Sequence, residues 1–318
     1  MILDETLPDQ LAAKLSDEGL AIFLFHGVVT RNRHRVRNYT GKHIEADLFA
    51  RCMKRLSRAG HALSMDEVLH HYDGRELFPK RAFAVTFDDG FENNLSIAAP
   101  ILTDVHVPAT VYVTSGFIEQ NGMSWIDRIE HAVESVQVQS LETDWMDGVV
   151  SLGGTDSRID FLQAVREHVK HTPFCDADAF ADALCERLGY SGPLSSDDPL
   201  DLKMTWDQVR RLAEGDLFNV GGHGHTHAIL AFLDPDQLSC ELDTSLAMLF
   251  EKAGVGPRHY SYPEGLAHCY SDAVIDALKG RGVRCCPTAI NGLNVESTDV
   301  FHLTRVMVSG PRSPLDPA

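Results

Sequence analysis

Two short stretches place reactive side chains at close spacing. Thr86-Phe87-Asp88-Asp89-Gly90 sets two adjacent carboxylates between an apolar run and a glycine. Gly221-Gly222-His223-Gly224-His225-Thr226-His227 sets three histidines at alternate positions. Neighbouring residues on extended backbone point in opposite directions, so one aspartate can bind a metal while the other stays free as a base. Imidazole is a common zinc or cobalt ligand. On a strand all three histidines point to one side; on a helix only His223 and His227 share a face. Both arrangements can bind a metal, and the spacing alone does not choose between them.

Two weaker signals follow. Tyr260-Ser261-Tyr262-Pro263-Glu264-Gly265 reads as a turn after a short strand. Phe301-His302-Leu303-Thr304-Arg305 opens the last apolar run, which His302 and Arg305 flank.

The elements that must position these groups alternate between strand and helix. Ala21–Val29, Ala82–Phe87, Ala109–Thr114, Phe218–Gly222, His259–Tyr262, Val283–Pro287 and Leu303–Val308 read as strands. Ile44–Ala59, Asn93–Leu102 and Trp206–Glu214 read as helices. Another is capped by Asp234, with Pro235 at its first position, and ends at Gly254; the last runs from a Ser271 cap to Gly280. Such alternation implies a parallel sheet, open or closed into a barrel. Active sites in these folds collect at the strand ends. About 116–203 shows helical periodicity with no convincing strand, and is expected to be a mainly helical insertion over one end of the sheet. Trp125 and Asp127, at its start, are candidates to reach the site, with core packing as the favoured reading. The whole chain, 1–318, is expected to be one domain.

Composition narrows the function. The 318 residues are 44% hydrophobic, enough for one large core. With 28 basic and 46 acidic side chains the net charge is -18, which argues against nucleic acid as the partner. Seven cysteines at irregular spacing, with no C-x-x-C, read as reduced thiols. The acidic start MILDETLPDQLAAKLSDEGL has no apolar core of a secretory signal, and no apolar run reaches the ~20 residues of a membrane span. A cytoplasmic protein without a membrane span is expected.

The order of motifs resembles a family. TFDDG, then H-x-x-x-H after a Gly-rich strand, then Y-P-x-G, is similar to the polysaccharide deacetylases with the NodB homology domain (carbohydrate esterase family 4), in a YPxG-type branch. AIFLFHGVV, HVPATVYVTSGFI and MTWDQVRRLAEGDLFNVGGHGHTHAIL extend the resemblance over 20–118 and 204–309. It implies a distorted TIM-like (β/α) barrel and a hydrolase that removes an acetyl group from an N-acetylated sugar. It implies Asp89, His223 and His227 as ligands of one divalent metal, zinc with cobalt or nickel as alternatives. The outer two histidines would then coordinate as on one helical face. It implies Asp88 as the general base. Tyr262, Pro263 and Glu264 would form the substrate and oxyanion side, with the Glu264 N–H as donor.

Three departures from the family pattern stand out. Gly224 replaces the usual Ser or Thr after the first histidine. Ser261 stands where an Arg usually orients the base, and Arg305 is the candidate replacement. The usual Leu-x-His segment with the general acid is not evident; His302 and His268 are the candidates. The run RNRHRVR, Arg31 to Arg37, is a basic loop that could hold an anionic or phosphate-bearing sugar. The alternatives to a sugar N-deacetylase are an allantoinase-like amide hydrolase on the same barrel and a catalytically silent carbohydrate-binding protein.

Overall fold

The computed structural model describes residues 6–146, 148–172, 175–256 and 258–311. The first five residues of the acidic N-terminal stretch lie outside them. Six strands form one parallel sheet: β1 (Ala21–Phe25), β2 (His61–Ala62), β3 (Ala82–Phe87), β4 (Ala109–Val113), β5 (Phe218–Gly222) and β6 (Val306–Met307). Their order is β6-β1-β3-β4-β5, with β2 paired to the start of β3. β1 and β3 are buried at every residue. Such continuous apolar runs mark a parallel sheet covered on both faces.

Beyond β5 the ladder continues only as isolated parallel bridges: Gly222 to Tyr260, His259 to Cys285, and Pro287 to Leu303. β6 then pairs back to β1 through Phe23↔Val306 and Leu24↔Met307. The result is a (β/α) barrel completed on one side by bridges, which is its distortion. The expected strands His259–Tyr262 and Val283–Pro287 shrink to bridges, and Leu303–Val308 shrinks to β6 plus one bridge. Pro263 and Pro287 lack the N–H a longer ladder needs. Gly221 allows the close approach at the seam, since a Cβ there would lie 2.7 Å from the His259 carbonyl oxygen.

The helices follow their sequence signals closely. Asp234 Oδ1 accepts from the N–H groups of Asp236 and Gln237, opening Pro235–Ala253; Gly254 ends that helix with φ +69°. Ser271 caps Asp272–Gly280. Ala46–Ala59 begins two residues later than expected, because Ile44 belongs to a strand, His43–Glu45, parallel to Gly27–Val29. Asn93–Leu102 is a π-turn, Asn94–Ala98, leading into Ala99–Asp104.

The insertion has its own apolar cluster, in which Trp125, Ile129, Phe161, Leu162 and Val165 pack with Val36 and Tyr39 of the first loop. It is mainly helical, with Trp125–Ser135, Thr155–His171 and Ala177–Arg187. It also holds an antiparallel hairpin, Ser140–Glu142 with Val149–Ser151, where no strand was expected. These strands are three residues long and mostly exposed, too short for an alternation pattern to register. All seven cysteines are thiols outside any disulfide. Among the described residues no helix is long and apolar enough to cross a membrane.

Candidate active site

The strands are parallel, so their carboxyl ends share one edge, and the site is built there. Asp88 and Asp89 follow β3, His223 follows β5, and His26 follows β1. Asp89 adopts a left-handed backbone, φ +74°, which turns it away from its neighbour. The histidine segment is a loop rather than a helix. Gly224 at φ +82° and His227 at φ +65° fold the chain back on itself. That loop, not a helical face, brings the two rings together, with centroids 4.9 Å apart. That φ at residue 224 strains any side chain, and a Cβ there would also press on Glu241 Oε1 at 2.9 Å, so the departure to glycine has a backbone reason. His225 points elsewhere, hydrogen-bonds to Ser115 Oγ at 2.9 Å, and lines a separate cavity of about 310 Å³.

Asp89 Oδ1 lies 3.7 Å from His223 Nε2 and 3.5 Å from His227 Nε2. Ligand atoms at ~2.0 Å from a tetrahedral ion are about 3.3 Å apart, so a small adjustment suffices for a metal. The donor set also fits. His223 Nδ1 donates to the Ser261 carbonyl oxygen at 2.9 Å, which leaves the Nε2 lone pair toward Asp89. Burial lowers the His223 pKa and favours the neutral ligand form. Burial pushes the Asp89 carboxyl up, but Lys42 and then His227 outweigh it and hold it well below the carboxylate range.

Asp88 is held on its other side. Arg305 Nη1 and Nη2 each donate to one carboxylate oxygen at 2.8 Å, and Nη2 also donates to Ser261 Oγ at 2.9 Å. Arg305 Nε donates to the Thr288 carbonyl oxygen. Arg305 therefore takes the position the sequence comparison left open, entering from the last strand. Burial pushes the Asp88 carboxyl up, yet Arg305, then His223, hold it below its ordinary value.

Asp88, Asp89, His223, His227 and Glu264 line one cavity of about 260 Å³. The other wall comes from Ser124, Trp125, Arg166 and Lys170 of the insertion and from Lys42. Trp125 is thus both core and pocket wall. Asp127 reaches the site through Lys42, whose Nζ lies 2.9 Å from Asp127 Oδ1 and 3.6 Å from Asp89 Oδ2. Burial lowers the Lys42 pKa, but Asp127 and Asp89 outweigh it and raise it.

Several expected residues lie elsewhere. Tyr262 is buried against Tyr270, and its hydroxyl donates to the Phe301 carbonyl oxygen; it does not line the pocket. Pro263 packs beside Gly224 and shapes the turn. His302 is 45% exposed beside Asp299 and Tyr270, outside the pocket. His268 Nε2 is bound to the Lys170 carbonyl oxygen. The remaining pocket imidazole is His26, whose burial lowers its pKa to about 4 against the pull of Asp89 and Asp88. Its signal was in the sequence, as the residue ending the first apolar strand. The arginine loop does not reach the pocket. Arg37 is buried in an ion pair with Asp201, while Arg31, Arg33 and Arg35 are exposed.

Residues 76–286, more than half of the chain, match the family described as polysaccharide deacetylase. The chain belongs to the polysaccharide deacetylase family, whose members hydrolyse carbon–nitrogen amide bonds. No curated protein sequence matches it significantly. Solved structures with the same fold include the deacetylase PplD of Streptococcus pyogenes in complex with acetate, 16% identical, TM-score 0.60, covering 92% of each chain. IcaB of Ammonifex degensii is 18% identical, TM-score 0.57, over 93% of this chain and 94% of the other. The de-N-acetylase of Aggregatibacter actinomycetemcomitans is 15% identical, TM-score 0.56, over 91% and 95%.

Proposed function

We propose that the chain is a divalent-metal-dependent N-deacetylase acting on an N-acetylated sugar, with zinc as the first candidate ion. The observation that carries this reading is the convergence of Asp89, His223 and His227 beside a separate, oriented carboxylate, Asp88, in one pocket. Two similar structures are described as a deacetylase with acetate and a de-N-acetylase, which supports acetyl as the group removed. Each pocket cation already faces a carboxylate: Lys42 faces Asp127, Arg166 faces Glu130, and Lys170 faces Glu264. This favours a neutral N-acetylated sugar over an anionic one.

An ion held by Asp89, His223 and His227 supplies Lewis acidity and makes water more acidic. Asp88 takes the proton of the attacking water, with Arg305 and Ser261 fixing the lone pair that receives it. The Glu264 N–H, which among the described residues donates to no protein acceptor, meets the charge developing on the carbonyl oxygen. His26 lines the same pocket as Asp88 and is the imidazole placed to pass the proton gathered by Asp88 to the leaving nitrogen as the C–N bond breaks. Acetate and the free amine are the products.

The reading is tested by incubating zinc-loaded protein with an N-acetylglucosamine tetramer and measuring acetate, before and after a chelator. Acetate that stops with chelation and returns with zinc is expected; no acetate from any N-acetylated sugar contradicts it. His26→Ala should lower this turnover about 100-fold. It should spare 4-nitrophenyl acetate, whose leaving group needs no proton. Equal loss on both substrates would remove His26 from the proton path.

A further inference from the structure

Lys170 lies in the last turn of the insertion helix Thr155–His171 and touches the turn Pro263 to His268 at two points. Its ammonium pairs with Glu264 Oε2. Its backbone carbonyl oxygen accepts from His268 Nε2 at 3.1 Å. One residue of the insertion thus holds both ends of the turn that carries the Glu264 N–H.

That turn needs holding. Glu264 and Gly265 both adopt left-handed backbone, at φ +58° and +61°. A glutamate there is strained and persists only where its surroundings fix it. On the barrel side the turn is fixed by Gly265 N–H to Pro263 O at 2.7 Å and Ala289 N–H to Gly265 O at 2.8 Å. On the pocket side Lys170 is the cation paired with the Glu264 carboxylate. Removing it would leave that carboxylate largely buried without its ion-pair partner, held only by the weaker pulls of His227 and Arg166, which favours swinging the side chain out.

We infer that Lys170 is a positioning residue: it aims the Glu264 N–H at the substrate carbonyl, which makes the insertion part of the catalytic apparatus. This rests on the N-deacetylase reading above. It also explains His268, which helps seat the insertion helix.

The test compares zinc-loaded wild type, Lys170→Met, Lys170→Arg, Glu264→Gln and the double variant Lys170→Met/Glu264→Gln. Each is assayed on the N-acetylglucosamine tetramer and on 4-nitrophenyl acetate, with zinc content and Tm measured in parallel. Losing an oxyanion donor costs about 10²–10³ in kcat, and misaiming one costs less, so Lys170→Met should lose about 10- to 100-fold in kcat on both substrates. KM and zinc content should change little, any fall in Tm should leave the protein folded at the assay temperature, and Lys170→Arg should restore most of the rate. Glu264→Gln keeps the N–H but breaks the pair, so it should lose a similar factor. The double variant should lose no more than either single one, because all three remove the same interaction. A loss confined to the tetramer and expressed in KM would make Lys170 a sugar contact and overturn the inference. Wild-type kcat in Lys170→Met would also overturn it while leaving the deacetylase reading intact. A zinc-loaded wild type inactive on both substrates would instead defeat that reading, and this inference with it.

Discussion

Asp88→Asn should lose kcat about 10³-fold while keeping its metal, within the range that general base catalysis supplies. The two aspartates of the motif have separate surroundings. Asp89 faces both histidines, whereas both oxygens of Asp88 are occupied by Arg305 at 2.8 Å, and Ser261 Oγ lies 3.4 Å from one of them. An amide at position 88 fills the same space but takes no proton. Arg305 retains the Thr288 carbonyl oxygen and Thr86 Oγ1 as acceptors, which offsets part of the cost of losing its charged partner, so Tm is measured beside the rate. The measurement is kcat on the N-acetylglucosamine tetramer beside zinc content. A variant that keeps its zinc and more than a tenth of its activity removes Asp88 from the base role.

Arg305→Met affects both stability and rate. Arg305 is fully buried and Asp88 nearly so, and breaking a buried ion pair by removing one partner costs about 3–5 kcal/mol. Methionine roughly fills the volume, so most of that loss comes from the carboxylate left alone. The pH profile moves as well. Burial raises the Asp88 pKa and Arg305 is the foremost group opposing it. With the guanidinium gone the carboxyl pKa rises. A base must be deprotonated to act, so the acid limb of the kcat/KM profile shifts to higher pH. At neutral pH the rate falls about 100-fold. Urea unfolding and a pH–rate profile check both parts. An unchanged acid limb would separate Arg305 from the base.

How far the sequence reveals the site depends on how its members are spaced. Asp88 and Asp89 sit beside each other after an apolar run, and His223 and His227 lie in one short segment, so their convergence is legible. Arg305 is legible because one position of the motif lacked its charge and the last strand offered a replacement. Lys42, Arg166 and Lys170 are not, because loop and insertion bring them to the pocket from far along the chain. Position along the sequence carries no record of that approach. His302 and His268 misled for the opposite reason. Both lie near barrel strands, but these are reduced to single bridges, where alternation no longer tells which way a side chain faces. The helices with capping residues were recovered almost to the residue, since caps are local. The hairpin in the insertion was missed because three-residue exposed strands leave no pattern.

The most direct test of the central claim is metal content by mass spectrometry on wild type, Asp89→Ala and His223→Ala. The geometry predicts about one divalent ion per wild-type chain and none in either variant, with all three proteins folded. A wild type that is metal-free and takes up neither zinc nor cobalt, or variants that keep the ion, would contradict a metal site at Asp89, His223 and His227.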